Sequence, residues 1–184
     1  TATVRRDGSS KFASGQRYGV FPSVAIGWNM MNEGFFESAK NTVNDFKLRA
    51  SYGRLGNQEI GDYTTQNVTT YGINYIQGGM WWQGAIPGNS WVSPRNLTWE
   101  ETETSNIGLD LAFLQSKLNI SADYYIRDTK NILLGINQPP STGLSGTPTM
   151  NAGTIRNKGF EFSATVKDAI GDVNYNIGIN ASTV

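Results

Sequence analysis

The 184-residue sequence predicts an all-β fold, namely an antiparallel transmembrane β-barrel segment of about seven strands. Apolar and polar residues alternate with a period of two along most of the chain, which is the pattern of strands whose two faces meet different surroundings. Short and long connections alternate as well. Outer-membrane barrels have this asymmetry, because short turns lie at one end of the strands and long loops at the other.

The three strands nearest the N-terminus show the weaker alternation, and we expect them at 1–6, 18–28 and 45–55. Pro22 is awkward in the second of these strands, since proline gives a ladder no N–H donor. The connection at 29–45 breaks the regular change between short and long, and it leaves room for one turn of helix.

Two adjacent hairpins carry the clearest alternation. All 18 positions on one face of their four strands are apolar or aromatic, and 16 of the 18 on the other face are polar, charged or Gly. We expect the apolar face to meet lipid and the polar face to line a wet interior, although a soluble sheet with one solvated face alternates too. The expected strands are 99–113, 117–127, 157–167 and 172–183. The residues expected to line the lumen are Asn106, Asp110, Asn119, Asp123, Glu161, Asn174, Asn176 and Asn180.

The connections predict which ends of the strands lie together. Tight turns are expected at 114–117 and within 168–172, and long loops at 7–17, 55–98 and 128–156. If the tight turns are periplasmic, the parity of the strands puts all three long loops outside the cell.

Composition excludes several classes of function. The net charge is zero, so nothing in the electrostatics favours nucleic acid as a partner. Histidine and cysteine are both absent, which removes the usual general base, the commonest transition-metal ligand and all thiol chemistry. We therefore expect no metal, no cofactor and no enzymatic activity. The chain starts without a signal peptide and stops while still alternating, so we expect it to be part of a longer protein.

One pair of carboxylates has a spacing that is compatible with catalysis. If the 114–117 turn sets the register, Asp110 lies opposite Ser121 and diagonal to Asp123, at roughly 7–8 Å. That distance falls in the range of an inverting glycosidase pair. Two wall carboxylates that hydrogen-bond a neighbouring group or water are the favoured interpretation.

Short strings spread along nearly the whole chain carry a family resemblance through their order and spacing. They include Arg5-Arg6-Asp7-Gly8, Tyr18-Gly19-Val20-Phe21-Pro22-Ser23, Phe46-Lys47-Leu48-Arg49-Ala50-Ser51-Tyr52-Gly53, Trp99-Glu100, Asn106-Ile107-Gly108-Leu109-Asp110, Asn151-Ala152-Gly153 and Asn157-Lys158-Gly159-Phe160-Glu161. The set resembles the barrel of SusC/RagA-family TonB-dependent transporters from the outer membrane of Bacteroidetes-type bacteria.

The resemblance implies a barrel of about 22 strands with a plugged lumen, of which seven strands would be about a third. All of 1–184 would then belong to one barrel domain, with the plug and the TonB-contacting segment outside these residues. The family imports glycans or peptides together with a SusD-like surface lipoprotein. A structural or adhesive outer-membrane protein that transports nothing is the alternative function.

Aromatic residues in the 55–98 loop are the candidates for contact with substrate or with such a lipoprotein. Exposed aromatic rings stack on sugars and anchor protein interfaces. Packing of the loop against itself is the alternative. The candidates are Tyr71, Tyr75, Trp81, Trp82 and Trp91.

Overall fold

The structure is a computed structural model of the chain, and it describes residues 1–39, 42–66, 69–87, 96–139, 141 and 147–184. Eleven strands lie within these residues. Their bounds are β1 (Ala2–Gly8), β2 (Tyr18–Asn29), β3 (Val43–Asn57), β4 (Thr69–Gln77), β5 (Met80–Pro87), β6 (Glu100–Phe113), β7 (Leu118–Lys130), β8 (Leu133–Gly135), β9 (Thr149–Asn151), β10 (Thr154–Ile170) and β11 (Val173–Thr183). No helix in the described ranges is long and apolar enough to cross a membrane.

Seven of the strands form one sheet in the order β1-β2-β3-β6-β7-β10-β11, and every neighbouring pair is antiparallel. The predicted fold class, strand number and hairpin order are therefore confirmed. Most strands extend beyond their expected ends; the largest extension is in β10, which runs from Thr154 to Ile170 instead of 157–167.

The register keeps the residues of each face opposite one another across the strands. Leu109 pairs with Leu48 on β3 and with Ala122 on β7. The same row continues through Phe162 to Ala181. Because side chains on a strand alternate between faces, this register gathers the apolar positions on one face, which we call the apolar face, and leaves the polar face opposite.

Pro22 lies where the sheet tolerates a missing donor. It pairs with Val4 on β1, but the β2–β3 ladder begins only at Ser23 and Gly53. Pro22 therefore lies outside that ladder, which removes the difficulty seen in the sequence.

The long 55–98 connection contains strands that the sequence analysis did not predict. Residues 69–87 form a separate two-stranded hairpin, β4–β5, and a three-residue β8–β9 pair lies within the expected 128–156 loop. Gly78 and Gly79 both have positive φ values, 62° and 76°, and they form the two-residue connection of the hairpin. Alternation missed β4–β5 because apolar residues occur on both of its faces.

A few polar contacts order the end of the sheet that carries the short turns, here called the turn end. Leu114, Gln115 and Ser116 all have left-handed φ values, between 54° and 63°. The side-chain oxygen of Asn44 accepts hydrogen bonds from the backbone N–H groups of Gln115 at 2.6 Å and Ser116 at 3.3 Å. Next to this turn, the ion pair with Asp168 at 2.6 Å raises the pKa of Lys117 above its ordinary value.

The connection between β2 and β3 also lies at the turn end. It holds two 3₁₀ segments, Met30–Asn32 and Gly34–Ala39, where one turn of helix was expected. The ring of Phe36 meets the ring of Phe46 edge-on, with centroids 5.3 Å apart. The segment is therefore packed against the start of β3.

The opposite end, here called the loop end, contains a small buried core. Its members come from separate long connections and the adjoining strands, and Leu97 has no exposed surface at all. Trp99 lies at the centre, with its ring centroid 5.3 Å from that of Phe12 and 5.4 Å from that of Phe21. The core residues are Phe12, Phe21, Ile60, Leu97 and Trp99, with Leu133 packed against them.

Asn151 ties the loops of this core together. Its side-chain oxygen accepts from Thr98 N at 2.8 Å, and its amide nitrogen donates to Thr98 O at 2.9 Å and to Asn131 O at 2.8 Å. One side chain on β9 thus joins the connection before β6 to the one after β7.

Candidate functional site

The polar face of the sheet carries all eight residues that the sequence assigns to the lumen. The register places them in adjacent rows. For example, Asp123 lies opposite both Gly108 and Glu161, and Ser163 lies opposite both Ser121 and Asn180. They share the face that is opposite the apolar residues. That this face lines a lumen stays a prediction. The eight are Asn106, Asp110, Asn119, Asp123, Glu161, Asn174, Asn176 and Asn180.

Arg49 connects three strands at the centre of this face. Its Nε and Nη2 atoms donate to the two oxygens of Asp110 at 2.7 and 2.9 Å, and Nη2 also donates to Asp123 at 3.0 Å. The hydroxyl of Ser121 donates to Asp110 at 3.1 Å and to Asp123 at 3.3 Å. A guanidinium that engages a carboxylate through two parallel bonds is held in a fixed geometry.

Gly108 makes this arrangement possible. It lies on β6 directly opposite Arg49, between β3 and β7. A Cβ atom at this position would lie 2.8 Å from the guanidinium carbon of Arg49 and would collide with Asp123. The absence of a side chain therefore lets the guanidinium cross β6 and reach the next strand.

The geometry bears on the carboxylate pair noted in the sequence. Asp110 is opposite Ser121, as expected, so Asp123 is its diagonal neighbour. An inverting glycosidase keeps the space between its two carboxyl groups open for water. Here the guanidinium of Arg49 occupies that space, which favours the interpretation as wall carboxylates. In the part of the chain that the structure describes, no group of three or more acidic, His or Cys residues is arranged to hold a metal ion.

A polar groove of about 360 Å³ lies next to this cluster on β7, β10 and β11. Glu161 borders it and, among the described residues, makes no ion pair. Serine and asparagine side chains provide most of the remaining lining. The polar lining residues are Ser121, Asp123, Glu161, Ser163, Asn180 and Ser182.

The β4–β5 hairpin carries four of the five aromatic residues singled out in the sequence. The register pairs Tyr75 with Trp82 on one face, and Ile76 with Trp81 on the other. Trp81 is 73 % exposed and Tyr71 is 72 % exposed. Trp82 is held by a hydrogen bond from Nε1 to the backbone oxygen of Gln77 at 3.2 Å. Trp91 lies outside the described residues.

Sequence reasoning missed two features of the loop and wall regions. Arg49 lies on the polar face of a weakly alternating strand, but alternation contains no signal that it reaches Asp123 two strands away. The loop-end core was missed as well, because Phe12 and Leu97 lie in connections where no period exists to extend.

The sheet has one apolar face and one polar face that carries ion pairs. It has short turns at one end and packed loops at the other. These features define the wall of an outer-membrane β-barrel. The model of the family described as TonB dependent receptor-like, beta-barrel, matches residues 1–184. The chain belongs to this family, of the SusC/RagA type, and its place is the bacterial outer membrane.

Two curated relatives support this assignment. TonB-dependent receptor SusC of Bacteroides thetaiotaomicron is 35% identical over 194 residues, a match that covers 100% of this chain and 19% of that protein. TonB-dependent receptor P39 of Formosa agariphila is 36% identical over 170 residues, covering 91% of this chain and 15% of that protein. The chain thus spans less than a fifth of the length of either relative.

Solved structures show the same fold. The RagAB peptide importer in its closed-closed state matches with a TM-score of 0.79 and 28% identity, over 99% of this chain and 20% of that chain. The open-open state of the same importer matches with a TM-score of 0.77 over 98% of this chain and 19% of that chain. All of these proteins are named as receptors or importers.

Proposed function

We propose that the chain is part of the wall and mouth of a TonB-dependent outer-membrane importer, which takes up a large nutrient, a glycan or a peptide, together with a SusD-like surface lipoprotein. Residues 1–184 belong to one barrel domain in this proposal. The wall performs no bond chemistry. Its apolar face meets lipid, and its polar face lines the path and meets the plug.

The observation that carries the contact part of the proposal is the exposed hairpin at the loop end. An isolated two-stranded hairpin is only marginally stable in water, yet β4–β5 keeps Tyr71, Trp81 and Met80 more than 60 % exposed. Large exposed aromatic and apolar side chains are typical of surfaces that bind another molecule. The hairpin is therefore the part of this chain best suited to meet incoming substrate or a lipoprotein.

Double replacement Trp81→Ala/Trp82→Ala in the full-length protein tests this contact. We expect weaker uptake or weaker co-purification of the lipoprotein, with an unchanged amount of folded barrel in the outer membrane. Tyr63→Ala is the matched control, because Tyr63 is 69 % exposed in the same long connection but lies outside the hairpin.

The outcome separates the candidate functions. Unchanged uptake and unchanged lipoprotein binding would overturn the contact role. Lost attachment of cells to a surface with unchanged uptake would favour the structural or adhesive alternative instead.

A second experiment tests the assignment of the two faces. Leu109→Arg puts a charge on the apolar face near the middle of the strand and is expected to cost roughly 2–4 kcal/mol of stability on folding into lipid vesicles. Asn119→Arg puts the same charge on the polar face and is expected to cost much less. Equal costs would show that the polar face does not line a wet lumen.

A further inference from the structure

The apolar face does not stay apolar up to the loop end. One row of the register places Arg54, Glu103, Asp128 and Arg156 directly opposite one another on β3, β6, β7 and β10. We call these four residues the charged row. Strand parity puts them on the same face as Leu109, so they are outward-facing charges on a face that otherwise carries apolar side chains.

Ion pairs bind the charged row together across the strands. Arg156 donates to both oxygens of Asp128, at 2.6 and 2.7 Å. Glu103 accepts from Arg54 at 2.9 Å and from Lys130 at 2.7 Å. Each of these two carboxylates therefore satisfies at least one cation, and the row is a connected network rather than a set of separate charges.

The acidic side chains of the network are less exposed than the basic ones. Side chains of Asp128 and Glu103 are 15% and 18% exposed, whereas those of Arg54, Lys130 and Arg156 are 33%, 44% and 68% exposed. The more buried carboxylates therefore fix the positions of the more exposed basic groups. What the row presents outward is consequently a layer of guanidinium and ammonium groups that keep unused N–H donors.

Two further cations extend this layer without acidic partners among the described residues. Lys158 is exposed on β10, one row nearer the middle of the sheet than Arg156. Arg6 on β1 lies over the ring of the exposed Tyr18, 4.4 Å from its centroid. The outward cations Arg6, Arg54, Lys130, Arg156 and Lys158 exceed the outward acids at the same height, Glu101, Glu103 and Asp128.

On β6, β7 and β10 the layer follows directly on the apolar rows. One row below Lys158, Ile107, Tyr124 and Phe160 lie opposite one another, and the next row holds Leu109, Ala122 and Phe162. Rows on one face of a sheet are roughly 7 Å apart along the strand. The cations are therefore about one side-chain length from the apolar band, at the height of the lipid headgroups if that band spans the hydrocarbon.

We propose that these cations bind the phosphate groups of a phosphorylated glycolipid in the outer leaflet of the membrane. The proposal rests on the assignment of the apolar face to lipid and of the loop end to the outside of the cell, and not on nutrient import. Guanidinium groups match phosphate oxygens through paired N–H donors, and ammonium groups add compact positive charge. The lipid chains would cover the neighbouring apolar rows while the headgroup meets the cations.

The experiment uses the full-length protein in phosphatidylcholine nanodiscs that also contain lipid A, either with its two phosphates or with both removed. After transfer to detergent, mass spectrometry counts the lipid A molecules that stay bound. We expect retention of the phosphorylated form only. Arg156→Gln/Lys158→Gln should lower that retention about tenfold or more, since charge-assisted hydrogen bonds are lost.

Two comparisons keep the result interpretable. Arg127→Gln/Lys167→Gln removes two cations from the polar face and should leave retention unchanged. Lys158→Gln alone removes a side chain with no ion pair in the described structure, so it should lower retention even if the double variant folds poorly. Equal retention of the two lipid forms by the native protein, or native retention by Lys158→Gln, would overturn the proposal and leave the proposed import function untouched.

Discussion

The two ends of the sheet are ordered by different kinds of contact. At the turn end, the side chain of Asn44 and the ion pair between Lys117 and Asp168 lie beside two tight turns. At the loop end, Phe12 and Trp99 are 87 positions apart and still touch through their rings. The turn end is therefore held by a few polar contacts beside its turns, and the loop end by a buried core of packed side chains.

The difference has a functional meaning. A buried core keeps the connections that contribute to it in a reproducible arrangement, because packed side chains resist displacement. A turn region needs only to reverse the chain. We therefore expect damage at the loop end to affect the mouth more than the barrel, and damage at the turn end to remain small.

The largest effect is expected from Leu97→Ala, because Leu97 is completely buried in the loop-end core. Loss of a buried Leu side chain costs about 2–5 kcal/mol. We expect the loops to become sensitive to protease on intact cells while the barrel still resists heat in detergent. The control is Leu134→Ala, since Leu134 is 48 % exposed nearby and should tolerate truncation. Equal protease sensitivity of both variants would contradict the loop-end core.

A smaller effect is expected from Asn151→Ala. This change removes three hydrogen bonds that join the connections at both sides of the β6–β7 pair, at a cost of about 2 kcal/mol. Hydrogen exchange should show faster opening of the backbone at Thr98 and Asn131. Asn174→Ala on the polar face is the matched control, and faster exchange there as well would argue against a specific role of Asn151.

At the turn end, Asn44→Ala should cost only about 1 kcal/mol, because two backbone N–H groups lose their acceptor but can reach water. Urea titration of the protein refolded into vesicles measures the change. Asn44→Asp keeps a side-chain oxygen in place and should restore stability. If Asn44→Asp is as unstable as Asn44→Ala, the hydrogen bonds are not the cause.

The smallest effect has the opposite sign. Ser116 has a φ of 63°, a conformation that glycine adopts without the steric cost of a Cβ atom. Ser116→Gly is therefore expected to stabilise the turn by about 0.5–1 kcal/mol in the same titration. Ser163→Gly, in the extended strand β10, should destabilise by a similar amount. A loss of stability at both positions would show that the left-handed turn carries no strain.

Much of the sheet could be predicted from the residues alone. Alternation identified β6, β7, β10 and β11 because one face must be apolar and a shift of one residue would turn every side chain over. The same parity places Arg54, Glu103, Asp128 and Arg156 on the outward face, so the charged row was implicit in the sequence. Extending the alternation beyond the apolar band would have found it.

Tertiary structure alone decided the rest. The reach of Arg49 to Asp123 depends on which strands become neighbours and on the missing side chain of Gly108 between them. The order of the 55–98 segment depends on pairing of β4 with β5, where apolar residues on both faces hide the period. The loop-end core joins residues that no local pattern connects, because burial is a property of the assembled sheet and its connections rather than of any single stretch of chain.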